Sequence, residues 1–537
     1  MVRQRIHNQA AGLAAALFVF SLAQSQARAA DGKEQKEPVQ VPPSTQRSDT
    51  NPAAGTEKRL DFHGYLRVRG GLFFNFDLNH GPTPSSGLPL WPETLTGGAQ
   101  SGLDMRLRVE PRLHIGWGVW VFAQIDMLDN LRLGSTPDAG YGYAATQQLP
   151  PADSIKIRQA YGQVLLPFGV LSAGRMGALV NWGTGMLVNK GDCLDCERGD
   201  VGDRITFLAP LLGHFIGAAF DIAAIGADSN GYFPKYPAVN IDRKDDVRNV
   251  ALTFFKYDDP PSLRRKLSAK KTVFNYGLLA AVRWQDYDAG DVEEGAEVTK
   301  DALIWRGAVS VLADLWLRLN IRGFRAELEF AVLWGRIENA STDPGVDLLP
   351  DITALQTGGV LQLGWESARR KVAIELELVY ASGDDEYGMG ANPDPDQVGS
   401  LKGDLDGPQF SVPGDRDINN LRLNPDFIVD TILWRRIVGR ITDAVVIRPS
   451  IKYRPGSGFE LSAASVTSMS VYASSAPGNA NYLGTEIDVS ISYLFEPGFL
   501  IRGSYALFVP GSGMDNVVLG HDAGPAHLGY VLMAFMF

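Results

Sequence analysis

Arginine recurs at a spacing of two, as Arg67 and Arg69 and again as Arg106 and Arg108, with Arg112 four residues on. A guanidinium is a planar fork of donors that fits carboxylates and phosphates. In an extended chain residues i and i+2 share a face, so these arginines form rows able to hold anions. The same alternation along the chain adds Arg318, Arg322, Arg325, Arg448, Lys452, Arg454 and Arg502. Set against them are Asp104, Glu110, Asp314, Glu327, Glu329, Glu375, Glu377 and Asp488. The face so inferred is mixed to mildly basic, on a chain whose formal net charge is −11. Two chemistries are open to it: concentrating anions by electrostatic focusing, or pairing its own charges across neighbouring strands.

A second constellation lies at 191–204. Cys193 and Cys196 have no second Cys pair and no nearby His to complete a thiolate zinc site, and a local disulfide suits an exported chain better. Asp192, Asp195, Asp200 and Asp203 are hard oxygen donors separated by glycine, which suggests calcium, although the spacing is not that of an EF-hand. A merely solvated acidic loop is the competing reading. Catalysis finds little support: no Gly-x-Ser-x-Gly elbow occurs, and His521-Asp522 reads as loop chemistry. The chain is therefore expected not to be an enzyme.

The elements that must carry these charges are strands. From Leu103 to Leu113, Leu103, Met105, Leu107 and Val109 fall on one face and Asp104, Arg106, Arg108, Glu110 and Arg112 on the other. Similar alternation runs through 311–321, 324–330, 372–378 and 487–493, and as helices these stretches would scatter their charges around the cylinder. A soluble sheet buries its apolar face; a membrane barrel turns it to lipid and encloses the charges.

The first residues indicate the compartment. Arg3 and Arg5 precede an apolar stretch at 10–22 and a small-x-small site, Ala27-Arg28-Ala29, the pattern of a secretory signal peptide over 1–29. Residues 30–59 are polar and read as a disordered periplasmic leader, with the barrel over 60–537. The acidic balance argues against a nucleic-acid partner. Beyond the signal no apolar run reaches the roughly 20 residues of a membrane helix.

Aromatics at expected strand ends, Tyr65, Trp117, Trp120, Trp305, Trp334, Trp365, Trp434 and Tyr493, suit interfacial girdles. The chain ends at Phe537, with Val531, Met533 and Phe535 on the same face, a closing strand of the kind read by outer-membrane assembly machinery. The length predicts a transmembrane antiparallel β-barrel of about 16–18 strands, wide enough for water. Polar stretches at 79–100, 137–153, 286–300 and 383–416 are expected as extracellular loops, holding surplus acid at 291–294, 384–386 and 394–396.

Three stretches resemble the alginate-export type of outer-membrane barrel, in a branch of the kind carried by myxobacteria-like Gram-negative species. They are Gly174-Arg175 through Trp182-Gly183 to Asp203-Arg204, then 482–488, then Tyr505-Ala506-Leu507-Phe508-Val509-Pro510-Gly511. They cover less than a fifth of the chain. The resemblance implies 18 strands, an arginine-rich conduit for an anionic polysaccharide, and a constriction near Arg175 and Arg204. Cys193, Cys196 and the many inward Glu depart from that pattern. The expectation is a passive outer-membrane, porin-like channel or exporter favouring anionic solutes. Its rival is a plugged or narrow barrel whose acidic loops serve adhesion or envelope architecture.

Overall fold

In a computed structural model of the chain, the residues described are 58–80, 90–92, 98–135, 154–180, 182–226, 243–289, 300–339, 341, 344–347, 351–385, 417–495, 498–517 and 519–537. The expected signal peptide, nearly all of the leader, the loop at 137–153 and the acidic clusters at 291–294 and 394–396 lie outside them. So does most of the loop expected at 383–416.

Eighteen strands follow one another. The first nine are β1 (Arg59–Phe74), β2 (Gln100–Gly116), β3 (Val119–Arg132), β4 (Lys156–Leu166), β5 (Gly169–Met176), β6 (Gly202–Leu211), β7 (His214–Ala224), β8 (Val247–Lys256) and β9 (Val273–Ala289). Then come β10 (Leu303–Ile321), β11 (Phe324–Ile337), β12 (Ile352–Glu366), β13 (Val372–Ala381), β14 (Ala444–Gly456), β15 (Phe459–Ser470), β16 (Tyr482–Phe495), β17 (Phe499–Pro510) and β18 (Ala526–Met536). Each pairs antiparallel with the next, and β1 also pairs with β18, from Tyr65 opposite Met536 to Phe74 opposite His527. The sheet is a closed barrel. Two boundaries differ from expectation: β1 begins at Arg59, and 286–289 extend β9 instead of opening a loop.

Period two now has a physical meaning. On β10 and β11, Leu315, Leu328 and Phe330 are exposed outward, while Trp316, Glu327 and Glu329 are buried inward. Ile374, Ile451, Ile487 and Phe535 continue the exposed apolar surface around the cylinder. A closed sheet that satisfies its own backbone, with an apolar exterior and charged interior, is built to span lipid. The protein is an outer-membrane β-barrel.

Trp305, Trp334 and Trp365 stand exposed on that outer face, and Trp117 caps the β2–β3 turn. Three aromatics expected with them do not. Tyr65 shares the inward parity of Arg67, and Trp120 bonds inward to Gln163 at 2.6 Å. Trp434 is not on a strand at all and is buried inside the barrel.

The two ends differ. At one end hairpins close with two residues, as in Leu212-Gly213, Arg322-Gly323 and Ser457-Gly458, all at positive φ. This is the turn geometry that matches the twist of paired strands. Arg322, expected in the pore, is such a turn residue and is exposed. The start of β1 and the end of β18 lie on this side, which by its short turns is periplasmic; long loops occupy the other.

Replacing an outward residue such as Leu315 by Arg should cost about 2–4 kcal/mol near the bilayer middle. The inward Arg502→Gln should fold within about 0.5 kcal/mol of the parent. Denaturant titration of folding into vesicles measures both.

Candidate functional site

The long loops are numbered L1 to L9 in chain order, L3 covering 177–201 and L7 covering 382–443. The interior of the barrel is where these two meet.

L3 reaches across to the arginine rows. Its legs are held together by Asp200 N donating to Asn189 O at 2.7 Å. Gly191 turns at φ 69, where a Cβ would lie 2.9 Å from Gly199 Cα. Between the legs, Cys193 and Cys196 are disulfide-bonded. The tip so formed presents carbonyls and carboxylates to the wall. Arg67 donates to Leu194 O at 2.8 Å, and Arg106 to Cys196 O at 2.8 Å and to Glu197 at 2.7 Å. Arg108 donates to Gly191 O at 3.0 Å while its other nitrogens grip Asp126. Arg69 pairs with Asp104, Asp195 and Glu197.

Burial works against the charge on Asp195, but Arg69, Arg436 and Arg435 outweigh it and hold the carboxyl below its usual range. Glu197 behaves alike, with Arg69, Arg67 and Arg106 overcoming its burial. These four wall arginines are thus ligands for a loop. Removing one partner from so buried a network leaves an uncompensated charge.

The other leg of L3 is tied to the opposite wall. Thr184 donates from both its amide and its hydroxyl to Glu329 on β11. Trp182 packs against Trp316 and Phe255, with ring centroids 5.9 and 6.3 Å away.

The described part of L7, 417–443, packs into the interior. Its residues Leu421, Leu423, Ile432, Leu433, Trp434 and Ile437 form one buried cluster with inward Val379, Val446, Phe508, Leu528 and Leu532. A single wide helical turn, Leu433–Val438, is seated by Glu486 on β16, which accepts from the amides of Thr431, Ile432 and Leu433 at 2.8, 2.8 and 3.1 Å. Asp430 accepts from the amides of Trp434 and Arg435 at 2.8 and 3.0 Å. The loops bind each other through Asp426, which accepts from the amides of Glu197 and Arg198 at 2.8 and 2.7 Å.

Between L3 and L7 a cavity of about 420 Å³ remains, lined by Arg69, Arg198, Arg435, Arg436 and Arg440 against Asp104, Glu197 and Asp426. Arg436 also lies 4.9 Å above the Tyr530 ring. Arg198, Arg435, Arg436 and Arg440 escaped the alternation argument because they sit on loops. A usable signal was the apolar stretch 427–441, interrupted by Asp430, Arg435-Arg436 and Arg440, which has no period of two and is too short to cross a membrane as a helix.

The remaining expected residues scatter. Arg502 faces the interior near the periplasmic end and is exposed there. Arg204 faces inward but is paired with Asp221 at 2.8 Å. Arg175 does not line the pore: Ser172 and Met176 take the inward positions, and Arg175 pairs outward with Asp203 at the extracellular rim, half exposed. The four aspartates expected at calcium do not converge. Asp195 binds Arg69 and Tyr530, Asp200 accepts from Asn189 and Asn424, and Asp203 pairs with Arg175. Asp192 is exposed. Among the described residues no group of three acidic, His or Cys side chains could hold a metal.

No family model matches the chain, and no curated protein matches it. Solved structures similar to it are outer-membrane barrels. A BenF-like porin from Pseudomonas fluorescens Pf-5 shares 8% identity and a TM-score of 0.44 over 89% of this chain and 98% of its own. OccK11 (OpdR) of Pseudomonas aeruginosa shares 10% identity and a TM-score of 0.44 over 89% and 96%. A loop L8 deletion mutant of OmpT, an outer membrane protein of Vibrio cholerae, shares 10% identity and a TM-score of 0.35 over 89% and 99%. With such scores, the barrel assignment stands on the closed sheet of this chain.

Two outcomes follow from the seating of the loops. Cys193→Ala with Cys196→Ala should loosen the L3 tip and leave the barrel intact, giving larger and noisier single-channel currents with unchanged heat-modifiable mobility on gels. Asp430 is buried and pushed up to about 7 from 3.8, so docked L7 holds a proton that the released loop gives up. Docking is then strongest below the ordinary carboxylate pKa, weakens as pH rises through about 7 and levels off above it. Conductance should be larger at alkaline than at acidic pH, and Asp430→Asn should shrink the difference.

Proposed function

We propose that the protein is a passive outer-membrane channel favouring small anionic solutes. The observation that carries this reading is the cavity between L3 and L7, where five arginines face three carboxylates inside low-dielectric walls. The arginines on β1 and β2 hold L3 in place, with Arg69 also lining the cavity, and Arg198, Arg435, Arg436 and Arg440 of the loops line the rest of it. Two loops crossing the interior favour small anions over the polysaccharide that the alginate-export resemblance implies.

The apolar seat of L7 favours a second reading, a plugged barrel that serves the envelope structurally. Planar-bilayer recordings separate the two. The channel reading expects discrete current steps with reversal potentials that favour anions. Arg198→Gln with Arg440→Gln should lower the anion-to-cation permeability ratio about twofold or more. Absence of current would leave the plugged barrel.

A further inference from the structure

Most connections at the periplasmic end are tight, but 257–272, between β8 and β9, contain a helix, α1 (Pro260–Ser268). None of its residues is buried. Proline at the first position starts the helix without losing a backbone bond. Its root is fixed in three ways. Asp258 N donates to Asn275 Oδ1 at 3.0 Å, Lys266 pairs with Asp258, and the Tyr257 ring lies beneath the Arg318 guanidinium, 5.4 Å from its centre.

These contacts leave Arg264, Arg265, Lys270 and Lys271 exposed. None of the four forms an ion pair with a carboxylate among the described residues. They make a dense cationic patch on a chain of net charge −11. Leu263 and Leu267, one turn apart, add an apolar edge beside them.

The membrane boundary lies at the same place. On the outer face of β7, β8 and β9, His214 stacks on Phe254 at 5.1 Å and leans on Tyr276 at 5.7 Å, with Phe274 5.7 Å from Tyr276. Such aromatic belts mark the headgroup level of a bilayer. The chain leaves the barrel two residues after Phe254 and re-enters it one residue before Phe274. A basic helix with an apolar edge, rooted at the headgroup level, matches the chemistry of an anionic bilayer surface.

We propose that α1 and its basic flank bind the phosphate headgroups of anionic phospholipid in the periplasmic leaflet. Each Lys or Arg near such a surface contributes roughly a fivefold gain in binding. The patch is on a different face from the cavity, so this inference stands whether or not the barrel conducts.

The test uses the full-length barrel in neutral detergent, with phosphatidylglycerol and phosphatidylcholine retention followed by native mass spectrometry. The parent should retain phosphatidylglycerol at least about tenfold better than phosphatidylcholine. Replacing Arg264, Arg265, Lys270 and Lys271 together by Gln should abolish that preference without changing the melting temperature. Should that variant fail to fold, Lys270→Gln with Lys271→Gln, beyond the helix, should show a partial loss. Equal retention by parent and variants, or no headgroup preference in the parent, overturns the proposal. So does sedimentation with peptidoglycan sacculi that depends on these residues without any lipid preference.

Discussion

Closure of the sheet in hydrocarbon is the constraint on which everything else rests. With no water to satisfy it, an unpaired backbone group inside a bilayer costs several kcal/mol, so β1 must find β18. Gly64 and Phe537 complete the seam by exchanging both backbone bonds at 3.0 Å. The same closure sets the width. Eighteen strands enclose more space than side chains alone can fill, and the interior must be occupied by water or by loops. Here L3 and the described part of L7 occupy part of it and leave a charged cavity between them.

That arrangement changes what the wall arginines do. Guanidinium groups buried without partners would be costly, and L3 relieves the cost with backbone carbonyls as much as with acids. A carbonyl accepts a hydrogen bond without cancelling the charge, so Arg67 and Arg106 can be seated by Leu194 and Cys196. The disulfide joins Cys193 to Cys196 and so closes the short turn that presents both acceptors. On the other side L7 contributes its own arginines, Arg435 paired with Asp426 at 3.4 Å and Arg436 lying over the Tyr530 ring.

Much of the barrel was legible from local pattern. The alternation at 103–113, 311–321 and 372–378 gave the orientation of each strand, and Arg67, Arg69, Arg106, Arg108 and Arg502 face inward as parity requires. The failures are of two physical kinds. Arg175 is on the opposite parity, one residue from the inward Met176, which is the smallest error a two-residue period permits, whereas Arg322 keeps the parity of Trp316 and Asn320 but lies in the tight turn beyond the strand. Trp434 and the arginines after it lie on a loop, where strand parity has no meaning. A clue to L7 was present in Val445-Val446-Ile447 and in 506–509, which are apolar on both faces. Strands buried on both sides read that way, and here the second side is covered by L7.

Residue order alone was enough to say which side chains meet lipid, because that choice is made locally, by whether a residue is odd or even along an extended chain. It could not say which loops turn inward. That depends on contacts between positions far apart in the chain, such as Asp195 with Tyr530 and Asp426 with Glu197. Only closure of the barrel brings those partners within hydrogen-bond reach, and only then does an arginine become either a post for a loop or a lining for the space left over.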